Sequence, residues 1–166
     1  MAIVFKEEGH SYQSIDQDKI NWLSVTGLVG MFKPKFDAKA QAKKSSKNKR
    51  SKWYGMTEKE ILQAWKNETD RAIKLGNFYH NQREADIIEC DTITRYGCTL
   101  PIFRPEFDDK GGKLAPDQKL VNGIYPELLV YLKSAGLCGQ ADLVEIVNGY
   151  INITDYKTNK EIKEKG

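Results

Sequence analysis

The stretch GQADLVEIVNGYINITDYKT, residues 139–158, carries the strongest structural signal in this sequence. Its Asn148-Gly149 dipeptide, with apolar residues on both sides, is typical of a two-residue turn that joins the strands of a β-hairpin. Pairing counted outward from such a turn brings Asp142 opposite Asp155. The sequence therefore predicts a hairpin that carries one carboxylate on each arm, at the same level and on the same face.

The rest of that face is apolar, so we expect it to be a core face, formed by Val144, Ile146, Ile151 and Ile153. Like charges directly opposite each other destabilise a sheet. Two carboxylates at the open end of a core face must therefore share a proton or bind a cation. The alternative is a structural ion pair between one of the aspartates and Lys157, two residues beyond Asp155.

A third carboxylate, Glu127, lies on a strand predicted over about 125–132, before the predicted strands 138–147 and 150–157. A short turn around 134–136 would bring Glu127 level with Asp142 to within about one residue, unless a bulge shifts it. Carboxylate oxygens are hard ligands that suit Mg²⁺ or Mn²⁺. The last part of the sequence thus predicts an antiparallel sheet with an acidic metal site.

A long helix is predicted upstream, because Thr57 and Glu60 form a capping box and apolar or small residues recur along one face. The helix is expected to fade near Glu89, and its buried face holds Ile61, Trp65, Thr69, Ala72, Gly76 and His80. His80 would then point into the domain, where a core histidine with one polar partner is the alternative to a functional one. Elsewhere we expect a hairpin over 3–14, a short helix capped by Ser24, and mostly irregular structure with room for a short strand over 91–123.

Positive charge is concentrated in one segment of the chain. Residues 33–52 hold nine Lys or Arg against one Asp, a local charge of +8 in a chain whose net charge is +3. We expect this segment to be an irregular basic loop, and such asymmetry indicates a polyanionic partner. A solvated, mobile loop without a partner is the alternative.

The remaining composition limits the class of protein. Cys90, Cys98 and Cys138 have no spacing typical of a disulfide framework, zinc site or iron–sulfur cluster. No signal peptide and no membrane-spanning run is evident, so a cytoplasmic protein without membrane partners is expected. The length of 166 residues fits a single domain, 1–166, with helices first and an antiparallel sheet last.

Together these motifs resemble the PD-(D/E)XK nuclease superfamily, in its RecB-like and phage exonuclease branch. The similarity lies in Glu127 of YPELLVY, in GQAD, in DYKT, and in GNFYH, which looks like the G-x-x-x-H helix of that branch. The similarity extends over most of residues 5–158. The resemblance implies an α/β (α+β) fold with a restriction-endonuclease-like core, in which helices flank a central mixed sheet.

The resemblance also implies a Mg²⁺-dependent (or Mn²⁺-dependent) deoxyribonuclease, an exonuclease in phage or bacterial DNA processing, recombination or repair. It would be found in a bacterial or phage-infected cell. The metal would be held by Asp142, Asp155 and the Tyr156 carbonyl. Glu127 would help to hold or orient it, and His80 would add a ligand or an outer contact.

By the same resemblance, Lys157 would position or deprotonate the attacking water, and Thr158 would contact DNA. DNA contacts are also expected from the basic segment, at Lys43, Lys44, Lys47, Lys49, Arg50 and Lys52.

The chain departs from the family pattern at its end. Only residues 158–166 follow Lys157, where the family core continues with a helix and a further strand. We therefore expect C-terminal elements to be missing, strand 150–157 to have an open edge, and self-association or a further segment or partner chain to complete it. The rival function is a non-catalytic DNA-binding or scaffold module on a degraded or truncated nuclease fold.

Overall fold

The computed structural model describes residues 3–15 and 20–158 and shows a mixed α and β protein. The described part contains three α-helices and open sheets with both parallel and antiparallel pairs. In chain order the elements are β1 (Ile3–Lys6), β2 (Ser11–Ser14), β3 (Leu23–Ser24), α1 (Val25–Met31), α2 (Ala38–Lys47), α3 (Glu58–Ile88), β4 (Thr92–Arg95), β5 (Cys98–Pro101), β6 (Glu106–Phe107), β7 (Lys113–Leu114), β8 (Gly123–Leu132), β9 (Leu137–Val147) and β10 (Tyr150–Thr154).

The chain divides into two compact units. Of the described residues, the first unit contains those up to Phe32 together with His80–Tyr156, and the second contains Lys33–Tyr79 together with Lys157 and Thr158. Within the described residues, no helix is both long enough and apolar enough to cross a membrane.

Strand β9 is the centre of the main sheet in the first unit. Strand β8 pairs antiparallel along one side of it, while β10 (antiparallel) and β3 (parallel) pair with different parts of the other side. Asn148 and Gly149 both have positive φ, 51° and 82°, as a two-residue hairpin turn of the predicted kind requires. The predicted hairpin is therefore confirmed, with Tyr150 opposite Val147.

The face of β10 is where the prediction was wrong. Val144 and Ile146 on β9 are buried, but Ile151 and Ile153 on β10 are 63% and 70% exposed. Among the described strands β10 has only β9 as a neighbour, so it is an edge strand. Apolar residues in a strand indicate that it can pack, but they do not show whether another element covers it.

A second sheet in the first unit has the strand order β2-β1-β7-β6. Phe5 pairs with Tyr12 as predicted, and their rings lie 4.9 Å apart. A buried cluster joins this sheet to the main one, through Ile3, Phe5, Ala115, Leu129 and Cys138. Residues 91–123 were predicted to be mostly irregular with a short strand, and most of them do lie outside strands. They nevertheless contain four short strands, β4 to β7, because short strands separated by Gly and Pro resemble loops in sequence.

The basic segment is also more regular than predicted. Ala38–Lys47 is a helix, α2, and the Asp37 side chain accepts a hydrogen bond from the Ala40 N–H at its N-terminus. Only the ends of the segment are irregular. The aspartate cap and the three alanines at 38, 40 and 42 favour a helix, and the number of lysines hid that signal.

The long helix begins and ends close to where it was predicted. The Thr57 and Glu60 side chains form the capping box, α3 runs from Glu58 to Ile88, and it continues through Gly76. Its face is less buried than predicted, since Ile61 is buried but Thr69 and Ala72 are exposed. The short helix α1 is capped by Ser24, as expected.

Candidate metal centre

Strand pairing places Glu127 and Asp142 level with each other. Pro126 pairs with Leu143 and Leu128 pairs with Ala141, so β8 and β9 keep the same register on both sides of the two carboxylates. Glu127 and Asp142 themselves are not a ladder pair. The predicted proximity of these two residues is confirmed, and both lie where the hydrogen-bonded ladder is interrupted.

The interruption has a local cause in the backbone of Glu127. Its φ is +49°, in the left-handed region that residues with a Cβ seldom adopt, and it follows Pro126 inside a strand. Such a conformation costs about 1–3 kcal/mol and concentrates at functional sites. The residue is also buried, with 8% of its surface exposed. A strained and buried glutamate destabilises the fold, so its presence in β8 indicates that its carboxylate has a function.

His80, in the C-terminal third of α3, completes the group. Its Nδ1 lies 3.5 Å from Asp142 Oδ1 and 3.8 Å from Glu127 Oε1, and its side chain is 32% exposed. One ligand atom from each of the three residues lies within 4.8 Å of the others. Within the described ranges this is the one such group of His, Cys, Asp and Glu side chains.

The outer oxygens of the two carboxylates are already engaged. Gln140 Nε2 donates a hydrogen bond to Glu127 Oε2, and the Tyr156 N–H donates to Asp142 Oδ2 at 2.5 Å. The Tyr156 ring also lies edge-on to the His80 ring, with centroids 5.9 Å apart. The oxygens Oε1 and Oδ1 remain directed toward His80, so each carboxylate offers one atom to a common point.

A lysine and a further carboxylate lie behind Glu127. Lys113 Nζ, on β7, is 4.0 Å from Glu127 Oε2 and 3.9 Å from Glu84 Oε1 on α3. The lysine side chain is 13% exposed. The second sheet thus contributes a cation to a site whose ligands come from the main sheet and α3.

Burial controls the electrostatics of this site. It raises the pKa of Glu127 to about 7, Glu84 and Asp142 add to the rise, and Lys113 and His80 oppose it. The pKa of Tyr156 is also raised, first by burial and then by the Asp142 carboxylate. A bound cation would supply counter-charge to this buried carboxyl group and would favour its ionised form.

The donor set fits a divalent cation with a preference for oxygen. Two carboxylate oxygens and one imidazole nitrogen suit Mn²⁺, and Mg²⁺ with water in the other positions. Gln140 Oε1 is buried and accepts no hydrogen bond from any described residue. An unsatisfied acceptor beside the ligands is consistent with a site that also holds water.

The other predicted site residues are placed differently. Asp155 follows the end of β10, is exposed, and lies outside the group of three. Tyr156 contacts the group through its N–H and its ring. Lys157 and Thr158 belong to the second unit.

The predicted DNA-contacting lysines and arginine all lie in the second unit and are exposed. Lys43, Lys44 and Lys47 are on α2, with Lys39 and Lys43 one turn apart, and the rest follow the helix. Lys52 Nζ lies over the Trp53 ring, 4.5 Å from its centroid. We call Lys39 to Lys52 the basic surface.

Sequence reasoning missed Lys113 and gave no role to Gln140 or Glu84. Gln140 lies within the GQAD motif, so its alternation with Asp142 was a usable signal. Lys113 gave no local signal, because a two-residue strand brings it to the site.

Comparison with known proteins adds no independent identification. No protein-family model matches the chain, and no curated protein or solved structure shows significant similarity to it. The resemblance to the nuclease superfamily therefore stays a prediction from the sequence motifs of this chain.

Proposed function

We propose that this protein is a metal-dependent deoxyribonuclease, an exonuclease that acts on DNA ends in the cytoplasm of a bacterial or phage-infected cell. The proposal includes a restriction-endonuclease-like core and Mg²⁺ or Mn²⁺ as the cofactor. The observation that carries it is the convergence of His80, Glu127 and Asp142, with Glu127 held in a strained backbone conformation.

The three residues of this group would hold the cation through Nδ1, Oε1 and Oδ1. By resemblance, Asp155 and the Tyr156 carbonyl would add to the ligand set. A bound divalent cation lowers the pKa of a coordinated water and offsets negative charge that develops on the phosphate. The Tyr156 N–H contributes by holding Asp142 Oδ2, which keeps Oδ1 directed toward the cation.

The roles of Lys157 and Thr158 come from the DYKT motif. Lys157 would position or deprotonate the attacking water. Thr158 would contact the DNA backbone.

The basic surface would bind the substrate. All six predicted DNA-contacting cations of the basic surface are exposed: Lys43, Lys44, Lys47, Lys49, Arg50 and Lys52. The first three lie on α2 within little more than one turn of helix. A row of cations at helical spacing can neutralise successive phosphates and release their counterions. This binding carries no sequence information, which suits an enzyme that degrades DNA from an end.

One observation favours the rival function. Asp155 is exposed and outside the group of three, so the full set of family carboxylates is not gathered in this structure. A chain that binds DNA through its basic surface without cleaving it would be a non-catalytic binding or scaffold module.

Digestion of end-labelled DNA tests the two functions against each other. Linear and closed circular DNA are incubated with Mg²⁺, with Mn²⁺ or with EDTA, using the wild type, Asp142→Asn, and Asp109→Asn as an exposed control. We expect linear DNA to be degraded with either cation and not in EDTA. The Asp109→Asn variant should be active and Asp142→Asn inactive.

Each other outcome has a defined meaning. DNA binding without any cleavage would support the scaffold function and refute the enzyme. Cleavage of circular DNA would keep the nuclease and refute the exonuclease. Activity in EDTA, or in Asp142→Asn, would show that the proposed metal centre is not the active site.

A further inference from the structure

Lys113 is a charged residue in an unusual position. It lies on the two-residue strand β7, with a side chain that is 13% exposed and an ammonium between two carboxylates, Glu84 and Glu127. Withdrawing an ammonium from water costs several kcal/mol, so a lysine is seldom kept there without compensating anions. The contacts it makes indicate what it does for the site.

The two oxygens of Glu127 have different surroundings. Oε2 receives the Gln140 Nε2 hydrogen bond and faces Lys113 Nζ at 4.0 Å. Oε1 faces His80 Nδ1 at 3.8 Å. Gln140 donates a hydrogen bond to Oε2 and Lys113 faces it as a positive charge, and the two residues lie on different strands, β9 and β7.

We propose that Lys113 is a positioning residue which, together with Gln140, holds Oε2 of Glu127 so that only Oε1 is presented to a divalent cation. This inference rests on the metal centre of the proposed function and extends it to a residue outside the ligand set. A carboxylate held in this way binds the cation through one oxygen, and the other coordination positions remain for water and phosphate.

Lys113 has a reason to be present in addition to Gln140. A glutamate side chain has three rotatable bonds, and one amide hydrogen bond leaves the carboxylate free to turn about the bonded oxygen. The Lys113 ammonium, 4.0 Å from the same oxygen and 3.9 Å from Glu84 Oε1 on α3, adds an electrostatic restraint that limits this freedom. Outer contacts of this kind typically change metal affinity by about 10- to 100-fold.

A purely structural role is the competing explanation. In that case Lys113 links β7 to α3 through Glu84, and its loss would lower the melting temperature without changing metal affinity in the folded protein. The two explanations therefore differ in a quantity that is measured without DNA or turnover.

Calorimetric titration of Mn²⁺ into the metal-free protein is the test, with four variants beside the wild type. Lys113→Met removes the ammonium, Lys113→Arg keeps a cation, and Lys119→Met is a matched control because Lys119 is exposed and outside the site. Gln140→Leu removes the other donor together with the unsatisfied Oε1. Thermal unfolding of each variant is measured in EDTA.

We expect Lys113→Met and Gln140→Leu each to weaken Mn²⁺ binding by about tenfold or more. Lys113→Arg should recover most of the loss, and Lys119→Met should bind as the wild type does. If Lys113→Met does not fold, Lys113→Gln takes its place, because it also removes the charge while keeping a polar side chain.

The failures are distinguishable. A wild type that does not bind Mn²⁺ would overturn the proposed metal centre itself. A wild type that binds, with unchanged affinity in folded Lys113→Met or in Gln140→Leu, would overturn only the positioning role. A melting temperature that falls in Lys113→Met while its Mn²⁺ affinity is unchanged would establish the structural explanation.

Discussion

Strands β8 and β10 lie on opposite sides of β9, and each brings a carboxylate to the level of Asp142. Glu127 lies within β8, and Asp155 follows the last residue of β10, one step beyond the Thr154–Leu143 pair. The two strands differ in burial. Seven consecutive residues of β8 are buried, whereas Ile151 and Ile153 of β10 are exposed.

This difference in burial shows that a residue can lie level with Asp142 in the sheet without belonging to the group of His80, Glu127 and Asp142. Glu127 is covered by the second sheet and is held by Gln140 and Lys113. Asp155 is level with Asp142 by register but is exposed. Register therefore predicts which residues are neighbours, and burial determines which of them are pre-positioned.

The largest effect is expected from Asp155→Ala, which tests whether the exposed carboxylate joins the site. Under the nuclease proposal this change abolishes cleavage and weakens Mn²⁺ binding. DNA binding stays the same or improves, because a negative charge near phosphate is removed. The melting temperature should not change, since Asp155 is exposed.

Cleavage assays, Mn²⁺ titration and thermal unfolding measure these quantities, with Asp109→Ala as the exposed control. Equal Mn²⁺ affinity in Asp155→Ala and the wild type would show that Asp155 is not a ligand. The proposed ligands would then be His80, Glu127 and Asp142.

A second prediction concerns the other unit, where charge rather than burial is the relevant property. Changing Lys43, Lys44, Lys47 and Lys49 to Gln should lower the salt slope of DNA binding by about 3–4, because each phosphate contact contributes about 0.9. Gln is also a good helix former, so α2 should persist.

Fluorescence anisotropy at several salt concentrations measures the slope, and circular dichroism checks the helix. The same number of changes at Lys59, Lys66, Lys110 and Lys119 is the control. If both sets lower the slope equally, the basic surface is not the specific DNA contact.

His80 is expected to have a smaller effect that separates function from packing. With its side chain 32% exposed and its Nδ1 facing two carboxylates, His80→Ala should reduce cleavage at least about tenfold, or about 1.4 kcal/mol of barrier. The melting temperature should be nearly unchanged. A lower melting temperature with near-normal cleavage would instead identify a core histidine.

The smallest expected effect is on the pH dependence of stability in EDTA. Folding raises the pKa of Glu127 from an ordinary value of 4.5 to about 7, so the folded state binds more protons between these two pH values. The contribution of Glu127 to the free energy of unfolding should therefore fall as the pH rises from about 4.5 to 7. Glu127→Gln cannot ionise and should lack that fall.

Urea unfolding of the two proteins across this pH range gives the comparison. Parallel stability curves would mean that Glu127 ionises in the folded state as easily as in the unfolded state.

Local signals predicted much of this structure. The Asn148-Gly149 turn gave the register of β9 and β10 to the residue, and the capping box gave the start of α3. These predictions succeeded because the interactions involved span only a few residues. Counting residue pairs in the same way across the turn between β8 and β9 predicted that Glu127 lies level with Asp142.

Other features depend on contacts between distant segments. The positive φ of Glu127 has no signature in its own sequence, and Lys113 reaches Glu127 only because the second sheet covers β8. The exposure of Ile151 likewise depends on which elements pack over β10. Sequence patterns indicate what a residue can do, and tertiary packing determines whether it is used.

The backbone of Glu127 has a consequence for how this chain would change under selection. Gly and Asn adopt a φ of +49° at lower cost than Glu does, so either one would relieve strain while removing a carboxylate. A library randomised at position 127 and selected only for resistance to heat should therefore enrich Gly and Asn, whereas selection for DNA cleavage should retain Glu. Opposite outcomes from the two selections would show that Glu127 lowers the stability of the fold and is needed for cleavage.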